Sequence, residues 1–303
     1  MKTIYSCPTC QSYREICDHL FELSEFCRLL SNTSIYRNEE RQVTTESIGA
    51  WLRLASELES VSINKWKFED PNVLCESIAT ANDELSENLG DFSTNLTRFM
   101  YMSYALDETY RYVDRHYTSK NPTGVARQAS LRACWVIDDE YLRIPEDMDH
   151  AISNLKTFMT TYDPDYENKI FNKHVQSNIT DSSYGLHLVR GLRNIIAHGV
   201  FPIVGADGHF AAELSNDSYT CQNLLRWGTR VGVMYIQLLM ANQFDGFSSP
   251  AYNYLVEVDS EHEDNNRYFY EHCTKNLALH LHKKIEFTFL DPLGEKSRHN
   301  YLL

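Results

Sequence analysis

The sequence predicts a mainly α-helical protein, and three observations lead to this fold class. Apolar residues recur every three or four positions through several long segments, as they do on one face of an amphipathic helix. Glycine and proline, which interrupt helices, number only 12 and 8 among 303 residues. The strand signals in the chain are short, so the strands that they predict are additions to a helical architecture.

The first 90 residues are expected to form an N-terminal helical region. Apolar residues at helical spacing predict helices at 11–30 and 45–61. A third helix is predicted to begin near Pro71 and to end at Leu89, because the Gly90 that follows is typical of a helix terminus.

Residues 91–245 are predicted to form a helical bundle. Its helical segments, set by apolar periodicity and by breaking residues, are 93–116, 125–137, 145–158, a short one after Pro164, 181–199 and 218–241. Between the last two, Asp207-Gly208 lies among the apolar residues of 200–214 and predicts a short β-hairpin. Residues 246–303 are expected to be a small C-terminal extension with one strand at 285–289.

Charge and hydropathy restrict the function classes. The net charge is -14, from 28 basic and 42 acidic residues, which disfavours broad nucleic-acid coating but leaves room for a local basic site. Residues 1–10 lack the apolar core of a secretory signal, and the longest apolar stretch, 231–241, is far shorter than the roughly 20 residues of a membrane span. We therefore expect a soluble, cytoplasmic protein with reduced cysteines and no membrane partner.

The helix predicted at 181–199 divides into two faces. Successive residues advance about 100° around a helix, which places the apolar side chains within one arc that faces the core: Leu188, Val189, Leu192, Ile195 and Ile196. A polar stripe lies opposite, made of His187, Arg190, Asn194 and His198, with Arg193 at its edge. Three uses of the stripe stay open: a solvated surface, a partner-binding face or a phosphate-handling site.

The segment from Arg193 to His198 resembles the motif of the HEPN domains. That motif is an arginine, four to six residues and a histidine, often with a polar residue such as Asn194 beside the arginine. Leu192 and Gly199 are also usual neighbours of the motif. The resemblance implies that the motif lies near the end of a helix in an HEPN-like α-helical bundle. It further implies a homodimer, in which two such helices build one composite cleft.

The same resemblance implies a metal-independent endoribonuclease that cuts single-stranded RNA without a cofactor. The RNA 2′-hydroxyl attacks the adjacent phosphorus while a base removes its proton and an acid protonates the leaving oxygen, and histidine suits both tasks. By this resemblance His198 is the acid or base. Arg193 stabilises the charge on the phosphoryl oxygens, and Asn194 orients the imidazole or the phosphate.

The family often acts in toxin–antitoxin or phage-defence systems, so a cognate antitoxin or regulatory protein is a further expected partner. Some HEPN domains have no catalytic activity, and the alternative hypothesis is a catalytically silent helical module that binds a protein partner. Four more residues are candidate substrate contacts, although solvated side chains explain each of them as well: His187, Arg190, Arg226 and Arg230.

A third hypothesis is a zinc-bearing scaffold. Cys7 and Cys10 form a CxxC pair, and Cys17 and His19 follow within the next nine residues. A structural zinc site needs a second ligand pair at comparable spacing. Cys17 and Cys27 make a poor pair on one predicted helix, and His19 could substitute for one of them. Free thiols in the N-terminal segment are the simpler interpretation of these residues.

Overall fold

The computed structural model describes residues 7–32, 45–68, 76–116, 128–140, 142–171, 181–201, 211–242 and 278–284. Within these ranges the chain is mainly helical, which confirms the predicted class, and its only β-pairing is one isolated antiparallel bridge between Tyr13 and Lys283. The helices in chain order are α1 (Pro8–Ser12), α2 (Ile16–Asn32), α3 (Glu46–Glu57), α4 (Glu76–His116), α5 (Ala129–Asp139), α6 (Met148–Tyr162), α7 (Tyr166–Ile170), α8 (Asp181–Ala197) and α9 (Ala211–Asn242), with a 3₁₀ turn at Lys65–Phe68.

Helix α9 is the centre of the fold and packs against α2, α4, α6 and α8. Residues 231–241 are buried on every side of this helix, as expected for a segment that is apolar all round. In the described ranges, no helix combines the length and apolar character that a membrane crossing requires.

Two glycines of α9 allow its neighbours to approach closely. A Cβ atom on Gly228 would lie 2.8 Å from Cδ2 of Leu192 on α8, and one on Gly232 would lie 2.3 Å from Sδ of Met102 on α4. Both neighbours are fully buried, so this crossing of α4, α8 and α9 is part of the core that supports the motif helix.

The predicted helix end at Gly90 is wrong, because α4 continues through it as one helix of 41 residues. A Cβ on Gly90 would lie 3.0 Å from the carbonyl oxygen of Val61. The Val61 N–H donates to Thr94 Oγ1 at 2.8 Å, so the chain after α3 lies directly on α4 here. The glycine therefore serves a close backbone approach rather than a helix end. The proposed boundary at residue 90 falls inside α4, and the division into domains stays a prediction.

Residues 278–284, within the predicted C-terminal extension, pack against the N-terminal segment. The Arg14 N–H donates to the His282 carbonyl at 2.8 Å, and the Lys284 N–H donates to the Ser12 carbonyl at 3.0 Å. The side chains of Ala278, Leu279 and Leu281 are buried in the same core as the helices. The strand predicted at 285–289 lies outside the described residues.

Only part of the predicted hairpin lies within the described residues. Its turn at Asp207-Gly208 lies outside the described residues. Residues 211–214, which the second strand was expected to include, belong to the first turn of α9. The strand prediction is therefore wrong for these four residues.

Candidate functional site

Helix α8 has the predicted apolar face and is fixed firmly in the bundle. Leu186, Leu188, Val189 and Leu192 are fully buried, and Ile195 and Ile196 pack against the core while partly exposed. Burial thus decreases toward the C-terminal end of the helix, where the motif lies.

The end of α8 is a Schellman motif. The Val200 N–H donates to the Ile195 carbonyl at 3.1 Å, and the Gly199 N–H donates to the Ile196 carbonyl at 3.0 Å. Gly199 adopts φ 68°, a left-handed conformation that glycine takes without a Cβ penalty. The prediction that Gly199 ends the helix directly after His198 is therefore confirmed.

A cleft of 530 Å³ lies beside this helix end, between α4, α5 and α8. Helix α8 contributes four polar residues of the predicted stripe to its wall: Arg190, Arg193, Asn194 and His198. Helix α4 contributes Asp107, Tyr110 and Arg111, and the start of α5 contributes Gln128, Ala129 and Ser130. The volume lies in the range of small-molecule sites, and the wall combines guanidinium, amide and imidazole groups.

Two guanidiniums of the cleft have defined partners. Arg193 Nη2 donates to Asp107 Oδ2 at 3.0 Å, and this pair joins α8 to α4. Arg190 Nη1 donates to Gln128 Oε1 at 3.4 Å. The Nε atom of Arg190 is buried and has no hydrogen-bond partner among the described residues. Arg190 therefore retains an unused donor in the wall of the cleft.

His198 and Asn194 are both exposed at the cleft. They lie one helical turn apart, and the backbone N–H of His198 donates to the Asn194 carbonyl at 3.0 Å. The imidazole of His198 is thus accessible to solvent, as a group that exchanges protons with a bound substrate must be.

Tyr110 forms a buried part of the same wall. Burial raises the pKa of its phenol well above the usual range, and the nearby Asp107 and Cys134 act in the same direction. This phenol therefore stays protonated at neutral pH and is available to the cleft only as a neutral hydrogen-bonding group.

His187 does not belong to the cleft, contrary to its predicted place on the exposed stripe. It is only 3% exposed, and its ring meets that of Phe171 edge-on at 5.6 Å between centroids. Burial, helped by the charge of Arg190, lowers its pKa to about 4. His187 lies on α8 as predicted, but α5, α6 and α7 all pack against this helix and the ring of Phe171 contacts the imidazole.

Arg226 and Arg230, two of the candidate substrate contacts, likewise lie outside this cleft. Both line a second cleft of 460 Å³ that also includes Tyr13 and Trp227. Arg226 is exposed there, whereas Arg230 is buried and donates from Nη1 to His19 Nδ1 at 3.0 Å. Burial lowers the pKa of Arg230 to about 10.

The four weak metal candidates separate in the structure. Cys7 and Cys10 lie together with His150, a residue that the sequence did not single out, in a cluster of potential metal ligands. His19 is fully buried and engaged with Gln237 Oε1 at 2.7 Å and with Arg230. Cys17 is half-buried and is not part of the cluster.

The structure also adds cleft residues that sequence reasoning missed, namely Asp107, Tyr110, Arg111 and Gln128. Helical periodicity predicted α4 but not which of its faces meets α8. The chain matches no family model, no curated protein and no solved structure. Functional assignment therefore depends on the residues and their geometry.

Proposed function

We propose that this protein is a metal-independent, HEPN-type endoribonuclease that cleaves single-stranded RNA at the cleft between α4, α5 and α8. The observation that carries the proposal is the convergence of Arg190, Arg193, Asn194 and His198 on one accessible cleft at the end of α8. These side chains offer what phosphodiester cleavage needs, namely a proton-transfer group and donors for phosphoryl oxygens.

The proposed reaction begins with the RNA 2′-hydroxyl. Its oxygen attacks the adjacent phosphorus, the bond from phosphorus to the 5′-oxygen breaks, and the products are a 2′,3′-cyclic phosphate and a free 5′-hydroxyl. One imidazole takes the proton from the 2′-hydroxyl, and a second protonates the departing 5′-oxygen. In the proposed homodimer these are the His198 side chains of the two subunits.

The arginines have the complementary task in this proposal. Charge builds on the non-bridging phosphoryl oxygens as the attacking bond forms, and a guanidinium offers paired donors to such oxygens. Arg193 is 39% exposed even when paired with Asp107, so it is accessible to a phosphate. Arg190, which is partly exposed in the same wall, provides a second guanidinium for these oxygens.

The net charge of -14 restricts where RNA binds rather than whether it binds. Within the cleft wall the guanidiniums of Arg190, Arg193 and Arg111 stand against the carboxylate of Asp107 and against that of Glu108, which pairs with Arg111 beside the wall. A local positive field of this kind attracts a phosphodiester although the remaining surface repels it. We expect binding that weakens steeply with salt.

The proposal is tested with the purified full chain and an unstructured, end-labelled RNA in magnesium-free buffer with EDTA. We expect cleavage that yields 2′,3′-cyclic phosphate ends and that is blocked by a 2′-deoxy substitution at the cleaved position. His198→Ala and Arg193→Ala are each expected to reduce the rate at least about 100-fold, the usual lower limit for removing an acid–base or charge-stabilising group.

Arg226→Ala is the matched control, because this exposed arginine lines the other cleft and should leave cleavage intact. RNA that stays intact at high concentrations of the folded, dimeric protein would refute the proposed ribonuclease activity. That outcome would favour the alternative of a catalytically silent module whose cleft binds a protein partner.

A further inference from the structure

We propose that Cys7, Cys10 and His150 form a zinc-binding site that fastens the N-terminal segment to α6. The proposal is independent of the nuclease cleft. Potential ligand atoms of the three side chains all lie within 4.8 Å of one another, although His150 is 140 residues beyond Cys10 in sequence. All three residues are partly exposed, so a metal ion has access to them.

The separations of the ligand atoms fit a tetrahedral zinc ion. His150 Nε2 lies 3.4 Å from Cys7 Sγ and 3.2 Å from Cys10 Sγ. Zinc bonds of about 2.3 Å to sulfur and about 2.05 Å to nitrogen, at a tetrahedral angle, separate the two ligand atoms by about 3.6 Å. The imidazole nitrogen therefore needs to move away from each sulfur atom by only a few tenths of an ångström to share the ion with it.

Local structure positions the two thiols. Cys7 is the N-cap of α1, and Pro8 occupies the first turn of this helix. Proline suits this position because backbone N–H groups in the first turn have no acceptor within the helix. The single turn of α1 then brings Cys10 to the same side as Cys7, as residues three apart on a helix are neighbours. A CxxC pair at a short helical turn thus presents both sulfur atoms in one direction.

His150 is positioned by contacts at the start of α6. The preceding Asp147 has the left-handed φ of 57°, and its carbonyl accepts a hydrogen bond from the Tyr13 hydroxyl at 2.6 Å. The Asp147 carboxylate also pairs with Lys283 Nζ. The N-terminal segment, the start of α6 and residues 278–284 therefore meet beside the cluster, and the first turn of α6 is fixed where it presents His150.

Asn154 supplies an outer partner, one turn after His150 on α6. Its Nδ2 lies 3.2 Å from His150 Nε2 and 3.9 Å from Cys10 Sγ. The amide already donates to Cys10 Sγ, and with zinc on the imidazole nitrogen the Cys10 thiolate remains its acceptor. Hydrogen bonds from such outer groups orient metal ligands and tune their affinity.

The donor set favours zinc over harder metals. Two thiolates and one imidazole suit zinc, whereas magnesium and calcium prefer oxygen ligands. The alternative use of a CxxC pair is a redox disulfide, but a disulfide does not account for a histidine whose Nε2 lies 3.4 Å from Cys7 Sγ and 3.2 Å from Cys10 Sγ. The placement of His150 against both thiols is the observation that selects a metal site.

The site is tested first by the metal content of the full chain, purified under reducing conditions from zinc-supplemented cells. We expect about one zinc ion per chain, and cobalt substitution should give the absorption of tetrahedral cobalt with thiolate ligands. Asn154→Ala, which removes an outer partner, should weaken zinc binding by about 10- to 100-fold. Cys10→Ser and His150→Ala each remove a direct ligand and should weaken zinc binding more than this. Cys17→Ser is the matched control and should bind zinc like the parent chain.

Folding of each variant is checked by circular dichroism and gel filtration, and His150→Cys provides a second test because a third thiolate should restore binding. Zinc should also raise the melting temperature of the parent, since a ligand that binds only the folded chain stabilises it. A folded parent chain without zinc affinity, or a His150→Ala variant that binds as tightly as the parent, would overturn the site. Neither result depends on RNA cleavage, so the two proposals fail or succeed separately.

Discussion

Arg193 Nη2 on α8 donates to Asp107 Oδ2 on α4 at 3.0 Å, so the arginine of the motif is held by a carboxylate from a different helix. The pair is 39% and 42% exposed, and an ion pair this open to water contributes at most about 1 kcal/mol to stability. Its larger effect is on the charge of the cleft, because Asp107 partly neutralises a guanidinium that the proposed function assigns to phosphate.

The first prediction concerns this carboxylate. Asp107→Asn is expected to change the free energy of unfolding by less than about 1 kcal/mol. It should tighten the binding of a non-cleavable 2′-O-methyl RNA at low salt by about fivefold, because it removes a negative charge that repels a nearby phosphate in a solvated site. Fluorescence anisotropy measures this affinity. Asp114→Asn, on the same helix but outside the cleft wall, is the control, and weaker binding by Asp107→Asn would contradict the charge argument.

The second prediction concerns the turn that ends α8. Gly199→Ala places a side chain at φ 68°, where no described residue crowds the new Cβ but the backbone itself is strained. We expect a loss of about 1–2 kcal/mol of unfolding free energy, measured by urea denaturation. Gly199→Asn should lose clearly less, because asparagine tolerates the left-handed region better than alanine does. Equal losses for the two variants would show that the conformation at Gly199 is not the cause.

The third prediction concerns the pH dependence of stability. Burial lowers the pKa of His187 to about 4, whereas an unfolded histidine titrates near 6.5. Between these values only the unfolded chain binds the proton, so stability is complete above about pH 6.5 and falls as the pH decreases toward 4. The slope from this group is about 1.4 kcal/mol per pH unit.

His187→Met should therefore make the loss of stability in acid shallower by about that slope, as measured by chemical denaturation at several pH values. Buried His282, whose pKa burial lowers to about 3, continues to contribute in the variant. His198→Met removes an exposed imidazole and serves as the control. An unchanged slope in His187→Met would argue that this histidine is not buried in solution.

The fourth prediction concerns the buried ion pair at the start of α2. Arg14 Nη1 contacts Glu22 Oε1 at 2.7 Å, and their side chains are 6% and 0% exposed. Glu22→Ala should destabilise the chain by about 3–5 kcal/mol, because it leaves a buried guanidinium without its carboxylate. Arg14→Met combined with Glu22→Leu should recover much of this loss in a denaturation experiment. A double variant no more stable than Glu22→Ala would mean that the other hydrogen bonds of Arg14 dominate.

The sequence predicted the helices well where apolar periodicity was strong. The centre of α4 and the whole of α8 follow from the three- and four-residue spacing of their buried side chains. The apolar part of α9 is a nearly continuous apolar run, as expected for a helix that is buried on every side. Gly90 misled the prediction because the same residue suits a helix end and a close contact between helix and loop. Only the position of the Val61 carbonyl distinguishes these two uses.

For the candidate site, the sequence determined the order of groups along one helix and nothing across helices. A helical wheel fixes that Arg190, Asn194 and His198 share a face, since backbone geometry alone sets that angle. It does not fix which parts of that face other helices cover. His187 was therefore expected to face solvent, whereas in the structure it is buried.

What only the tertiary structure decided is how distant segments meet. Asp107 reaches Arg193 across 86 residues of chain, and His150 reaches Cys10 across 140. Sequence periodicity describes each helix about its own axis, whereas the rotation and contact of two helices depend on the packing of all their side chains at once. The motif residues could therefore be placed on one helix from the sequence, but the cleft around them and the approach of His150 to Cys7 and Cys10 could not.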